Sequence, residues 1–233
     1  MVSNAPASQH GHASEKAYRW IKQKILANRW PDGAALKERD LSQEIGVSRT
    51  PVRDALRRLT QEGLVETIPN QGSRLKRWDS ADLEEIFGLR VLLESYGARM
   101  AATRVTEQEL AQLHALCDSM DALVAEEMQS AEAKQQLTRL NERFHETILQ
   151  AAHSHRLAAL AAQLISFPLV YRTFETYEPN EIFRSMAHHR ELLDAFGARD
   201  PIWAESIMRA HLSAGHRSTS RSLVKITESG VNA

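Results

Sequence analysis

Between Ser14 and Arg29 the positions Ala17, Ile21, Lys24 and Ile25 repeat at helical spacing, with Trp20 flanking the stripe, so the pattern predicts an amphipathic helix. Asn28, Pro31, Asp32 and Gly33 break the chain after it. A second, short helix fits Leu36 to Ile45, with Leu41 and Ile45 four apart, and Gly46-Val47 makes a tight turn. Ser48 offers a cap for a third helix, with Pro51 in its first turn, where an amide has no intrahelical acceptor. Val52, Ala55, Leu56 and Leu59 form its apolar stripe and Gly63 ends it. Leu64 to Ile68 and Ser73 to Arg77 read as two strands joined by the turn Pro69-Asn70-Gln71-Gly72.

After Trp78 the pattern is helical almost to the end. Asp79 or Ser80 caps a helix to about residue 103, and Thr106 to Glu109 is a capping box for one reaching about residue 127. Further helices are predicted from about 131 to 152, from 155 to 174 with a kink at Pro168, and from a cap at Asn180 to about 196. Asp200-Pro201 supplies a cap and first-position proline for the last. The fold class is therefore mainly α: three helices and a β-hairpin wing, followed by an all-α bundle of about six helices. The predicted division is a flexible tail over 1–13, a winged helix-turn-helix over 14–77, a helical domain over 78–225 and a C-terminal tail over 226–233.

Charge sharpens that division. The net charge is −1, yet residues 14–77 hold 14 Lys/Arg against 8 Asp/Glu, while the rest carries the acidic excess. A basic front suits a polyanion such as double-stranded DNA. The single cysteine, Cys117, excludes a disulfide framework within the chain and points to a reducing compartment. Residues 1–13 lack the basic and apolar regions of a secretion signal, and no apolar run reaches the ~18–20 residues that span a bilayer. Location in the cytoplasm, at the nucleoid, is the expectation, with no membrane partner.

On the third helix Arg49 and Arg53 are four apart and share a face near the N-terminus, the end of a recognition helix that enters the major groove. Ser48 and Thr50 are short donors suited to phosphates. The segment "LKERDLSQEIGVSRTPVRDALRRLTQEGLVETIPNQGSRL" resembles the DNA-binding domain of the GntR family of bacterial transcription regulators. The resemblance implies an inverted-repeat operator bound by a homodimer. It implies base contacts from Arg39 and Arg49, and phosphate or adjacent base contacts from Ser48, Thr50 and Arg53. It also implies approach of Gln71 and Gly72 to the minor groove. Asp32-Gly33 stands where many members have Pro-Gly.

In the rear module polar residues interrupt faces that should be buried. Asn141 and His145 lie within the stripe Leu137, Leu140, Phe144, Ile148 and Ala152. His189 fills the gap in Ile182, Met186, Leu193 and Phe196, its neighbour His188 points about 100° away toward solvent, and His211 sits among Ala204, Ile207, Met208 and Leu212. Unpartnered buried polar groups cost roughly 1–3 kcal/mol each, and inward ligands from facing helices are how bundles build metal sites. Leu83, Phe87, Arg90, Glu94, Gly97 and Ala101 put Arg90 and Glu94 on a packed face, either as a mutual pair or as an effector clamp.

This module is similar to the FCD effector-binding domain of the FadR-like branch of GntR regulators, through "LNERFHETILQAAHSHRL" and "HHRELLDAFGARDPIWAESIMRAHL". The resemblance implies metal ligands Asn141, His145, His189 and His211 and a small carboxylate effector beside Arg90 and Glu94; three imidazoles and one oxygen suit zinc first, with nickel or manganese as alternatives. Asn141 departs from the usual Asp, and a neutral amide oxygen leaves the ion its full charge of about +2. Whether Arg172 reaches the cavity is not decided by spacing. The reading is a ligand-responsive regulator of a metabolic operon, a repressor in the first instance with an activator as the alternative, and not an enzyme. Two competing functions are a metal hydrolase, with Glu142, Glu146 or Glu94 as base, and an architectural DNA-binding dimer with a structural metal.

Overall fold

The computed structural model describes residues 6–27, 29–127, 130–165 and 173–230. Two compact units divide between Trp78 and Asp79. In the first, α1 (Pro6–Leu26), α2 (Glu38–Ile45) and α3 (Arg49–Gln61) precede the antiparallel strands β1 (Val65–Ile68) and β2 (Gly72–Leu75), paired from Val65↔Leu75 to Ile68↔Gly72. Its core is Ala17, Ile21 and Ile25 of α1 against Val52, Ala55, Leu56 and Leu59 of α3, closed by Leu64, Val65 and Leu75. Gly46, at φ 71°, takes the left-handed position that ends α2 and turns the chain into α3.

Three boundaries differ from the sequence pattern. α1 starts at Pro6, so residues 6–13, expected as tail, are helical. α2 starts at Glu38 because Ala34 to Leu36 pair with β2: Leu36 N–H donates to Ser73 O at 2.8 Å and Leu75 N–H to Ala34 O at 2.9 Å. Ser48 holds the cap position of α3 by its backbone, but its hydroxyl makes no capping bond.

The second unit is helical throughout its described residues: α4 (Ser80–Arg104), α5 (Glu107–Glu127), α6 (Ala131–Ala151), α7 (His155–Ile165), a single turn at Thr173–Thr176, α8 (Pro179–Gly197) and α9 (Pro201–Gly230). Asp79 caps α4 through Ala81 and Asp82 N–H, Thr106 and Glu109 form the expected box on α5, and Asp200 caps α9 through Ile202 and Trp203 N–H. α8 begins one residue before the expected Asn180 cap. Pro179 takes its first turn, and Glu178 N–H donates to Glu181 Oε2 at 2.9 Å. α9 runs to Gly230, into the segment expected as a tail. Pro168 and Arg172 lie outside the described residues. Phe144, Ile148, Leu192, Phe196, Ala204 and Met208 belong to one core, so α6, α8 and α9 bury the faces that carry the polar exceptions.

Candidate metal centre and nucleic-acid interface

His145 on α6, His189 on α8 and His211 on α9 are buried, and each offers a ring nitrogen within 4.8 Å of the others. His145 Nε2 lies 3.2 Å from His211 Nε2. Two nitrogens on a tetrahedral zinc, each at about 2.0–2.1 Å, stand roughly 3.3 Å apart, so this pair already has the spacing of shared ligands. Both ring nitrogens of His189, Nδ1 of His211 and Oδ1 of Asn141 are buried without a hydrogen-bond partner. Such orphaned donors are what a metal site looks like without its ion's bonds drawn, and the donor set fits a divalent ion. Burial holds the His189 and His211 imidazoles well below the ordinary histidine range, and neighbouring imidazoles push the same way. They are therefore neutral at pH 7, as metal ligands must be.

Glu94 organises the centre from α4. Its Oε1 accepts from Arg90 Nε at 2.6 Å and its Oε2 from His145 Nδ1 at 2.6 Å. Burial pushes its carboxyl up, but Arg90 and His145 outweigh that and hold it at about 2. An ionised carboxylate only accepts, so His145 carries its proton on Nδ1 and turns the Nε2 lone pair toward the cluster. The packed face expected for Arg90 and Glu94 is thus real, and the two are mutually paired. Arg90 also lies over the Phe87 ring, 5.2 Å from its centroid.

Arg90, Asn141, Ser185, Tyr177 and His211 line a cavity of about 20 Å³, room for about one water. Gly215 lets the wall close. A Cβ there would stand 2.9 Å from the Tyr177 hydroxyl oxygen, closer than side chains pack. Sequence reading missed Ser185, although it lies four residues before His189 on the same face; its Oγ is buried and unpartnered. His188 is a correction. It is half-buried and sits edge-on to His211, with ring centroids 5.8 Å apart, because α9 covers the side of α8 expected to meet water.

In the first unit Arg39, Ser48, Arg49, Thr50, Arg53, Gln71 and Gly72 are all exposed. Arg53 and the wing residues Gln71 and Gly72 border one groove of about 670 Å³ between α3 and the wing. Arg39 is 3.5 Å from Asp40, Gln71 accepts from Arg74 at 3.2 Å, and Arg53 is held by Glu38. The last contact was not legible in the sequence. Arg58 of α3 turns to α1: its guanidinium lies 3.5 Å from the Tyr18 ring centroid and pairs with Glu15.

A winged helix-turn-helix with an exposed basic helix, followed by a helical unit around a buried histidine cluster, is the architecture of a DNA-binding regulator. The chain belongs to the gntR family of bacterial regulatory proteins, whose model matches residues 13–75, and carries an FCD domain over residues 85–214. An HTH-type transcriptional regulator from an unstable DNA locus of Streptomyces ambofaciens is 31% identical over 208 residues, covering 84% of this chain and 80% of that protein. The HTH-type transcriptional repressor RspR of Escherichia coli (strain K12) is 25% identical over 203 residues, covering 85% of each. The solved structure of E. coli McbR/YncC matches with a TM-score of 0.74 at 23% identity, covering 97% of this chain and 100% of that one. That likeness speaks for the fold. These relatives are transcriptional regulators, not enzymes, which removes the hydrolase alternative. No helix among the described residues is long and apolar enough to cross a membrane.

Proposed function

We propose that the protein is a ligand-controlled repressor of a metabolic operon. It binds an inverted-repeat operator as a homodimer and responds to a small carboxylate at a divalent metal, zinc in the first instance. His145, His189 and His211 hold the ion with Asn141 as the oxygen donor. The observation that carries this is the convergence of three buried imidazoles from three helices with the orphaned Asn141 Oδ1 beside them. Zinc suits a site of three nitrogens and one oxygen, and nickel and manganese accept the same donors. When bound, the ion would supply a positive charge that attracts an anion to the cavity. Arg90 is the second anchor, a cation already oriented by Glu94 on the cavity wall. Glu94 itself serves Arg90 and His145 rather than the effector.

A cavity of about 20 Å³ does not take a carboxylate of several atoms. Binding therefore moves the walls at Phe174 and Tyr177, and that displacement is the differential contact through which an effector biases the bundle. Coupling of about 1–3 kcal/mol changes operator affinity roughly 5- to 150-fold.

Base contacts fall to Arg39 and Arg49, phosphate contacts to Ser48 and Thr50, and the minor-groove approach to Gln71 and Gly72. Arg53 contacts phosphates or adjacent bases. The second copy covers the exposed apolar stripe Leu89, Leu92 and Tyr96 of α4 with Leu160 of α7, since a two-fold operator mirrors a two-fold protein. Such a regulator works at the nucleoid, in the cytoplasm. An RspR-like repressing action follows the relatives. The test is elemental analysis of purified protein, with operator binding measured against a panel of carboxylates with and without chelator. A metabolite that weakens DNA binding only in the metal-loaded protein supports the reading. Metal-dependent heat stability with operator affinity indifferent to every carboxylate supports the architectural alternative instead.

A further inference from the structure

Arg53 is held side-on. Its Nε donates to Glu38 Oε1 and its Nη2 to Glu38 Oε2, both at 2.9 Å, joining the first residue of α2 to the DNA-facing side of α3. The side chains are 60% and 32% exposed, so this is no core device. An exposed pair adds little to stability. Yet it puts a carboxylate in the groove between α3 and the wing, where a polyanion is expected and where a negative charge opposes binding.

The geometry gives that carboxylate a use. A guanidinium offers donor pairs along its edges. Glu38 occupies the Nε/Nη2 edge. The Nη1/Nη2 edge remains, and such a fork matches O6 and N7 of guanine. Neutralising the cation also weakens its pull on phosphate, which depends on charge and carries no sequence information. Arg49, one turn earlier on α3, is the other cation acting on Glu38.

We infer that Glu38 is a positioning residue that sets sequence selectivity, holding Arg53 end-on to the duplex as a base reader and suppressing its attachment to phosphates. This rests on the DNA-binding reading of the first unit.

The test uses the full-length protein with an operator selected from random-sequence duplexes and a scrambled duplex of equal length, over a range of salt. Glu38→Gln raises affinity for the scrambled duplex by about three- to tenfold and steepens its salt dependence by about one phosphate equivalent. Affinity for the operator changes less, so discrimination falls. In an Arg53→Ala background Glu38→Gln no longer changes discrimination between the two duplexes, since what remains is the removal of one negative charge from both. Glu38→Asp, which keeps the charge, retains more discrimination than Glu38→Gln. Melting temperatures of all variants identify any loss of fold. A folded Glu38→Gln protein with wild-type discrimination and salt slope overturns the proposal, as does loss of affinity by one factor on both duplexes. A wild-type protein that binds both duplexes alike overturns the DNA-binding reading itself.

Discussion

His145 Nδ1 stands 2.6 Å from Glu94 Oε2, with both side chains buried. The contact fixes which imidazole nitrogen is free, and it ties the cluster to Arg90 through the other carboxylate oxygen. α4 thereby reaches the histidine cluster through Glu94.

Replacing the charge tests that role. Glu94→Gln leaves Arg90 buried without a counter-charge and is expected to cost about 3–5 kcal/mol, read by urea denaturation. It also leaves one amide oxygen where two carboxylate oxygens accepted, so Arg90 and His145 compete for it and zinc affinity falls by about 10- to 100-fold, read by competition with a chelating dye. Lowered stability with unchanged zinc affinity would confine Glu94 to its pairing with Arg90.

Much of this was legible because helices repeat. Arg90 and Glu94 share a face by their spacing of four, and His145, His189 and His211 each interrupt an apolar stripe, so their burial followed from periodicity. The Glu94–His145 contact did not, because it joins residues 51 apart, and no period on one helix encodes its neighbour on another. The same reason hid Glu38 from Arg53. His188 went wrong because the pattern of α8 describes one buried face, while α9 lies against a second. The start of α2 was misplaced because Leu36, apolar and just ahead of the Leu41–Ile45 pair, gives its amide to Ser73 of β2.

Acid should destabilise the metal-stripped protein in two stages. Burial depresses His189 and His211 below the ordinary histidine value of 6.5. Below that pH the unfolded chain takes up protons that the folded chain refuses. Their contribution is thus complete above about pH 6.5 and falls on acidification, by at most about 1.4 kcal/mol per pH unit for each ring. Glu94, at about 2 in the folded protein against 4.5, stabilises above about pH 4.5 and loses that contribution as pH drops toward 2. Urea midpoints of chelator-treated protein between pH 8 and 2 record both stages. His189→Asn should flatten the first stage by about one proton, and a flat profile in the wild type would contradict the burial of neutral imidazoles.

Arg49→Ala is expected to weaken operator binding by about 1–3 kcal/mol and to relax selectivity at one base position, without changing the melting temperature. Arg49 is exposed and outside the buried stripe of α3, so folding does not depend on it. Gel-shift measurements on single-base operator variants separate this from Thr50→Ala, which should weaken all sequences alike.

Leu92 is 62% exposed and Tyr96 54%, one turn apart on α4. Leu92→Glu puts a charge into the surface assigned to the second copy while leaving the bundle core untouched. Sedimentation should show a dimer for the wild type and a monomer for the variant, and operator affinity should fall with the loss of two-site binding. A variant that stays dimeric would move the interface to another face.

Asn141→Asp separates the role of the ion from that of its charge. Asn141 Oδ1 is buried without a partner beside the imidazoles, and a carboxylate there would give the ion an anionic oxygen. Metal should bind more tightly, because a charged donor replaces a neutral one. The effector should bind more weakly, because the same negative charge lowers the field that draws an anion to the cavity. The two effects have opposite signs, so calorimetric titration of zinc and then of the effector separates them. A variant in which both affinities rise would show that the ion's charge does not recruit the effector. A variant in which neither changes would place Asn141 outside the coordination shell.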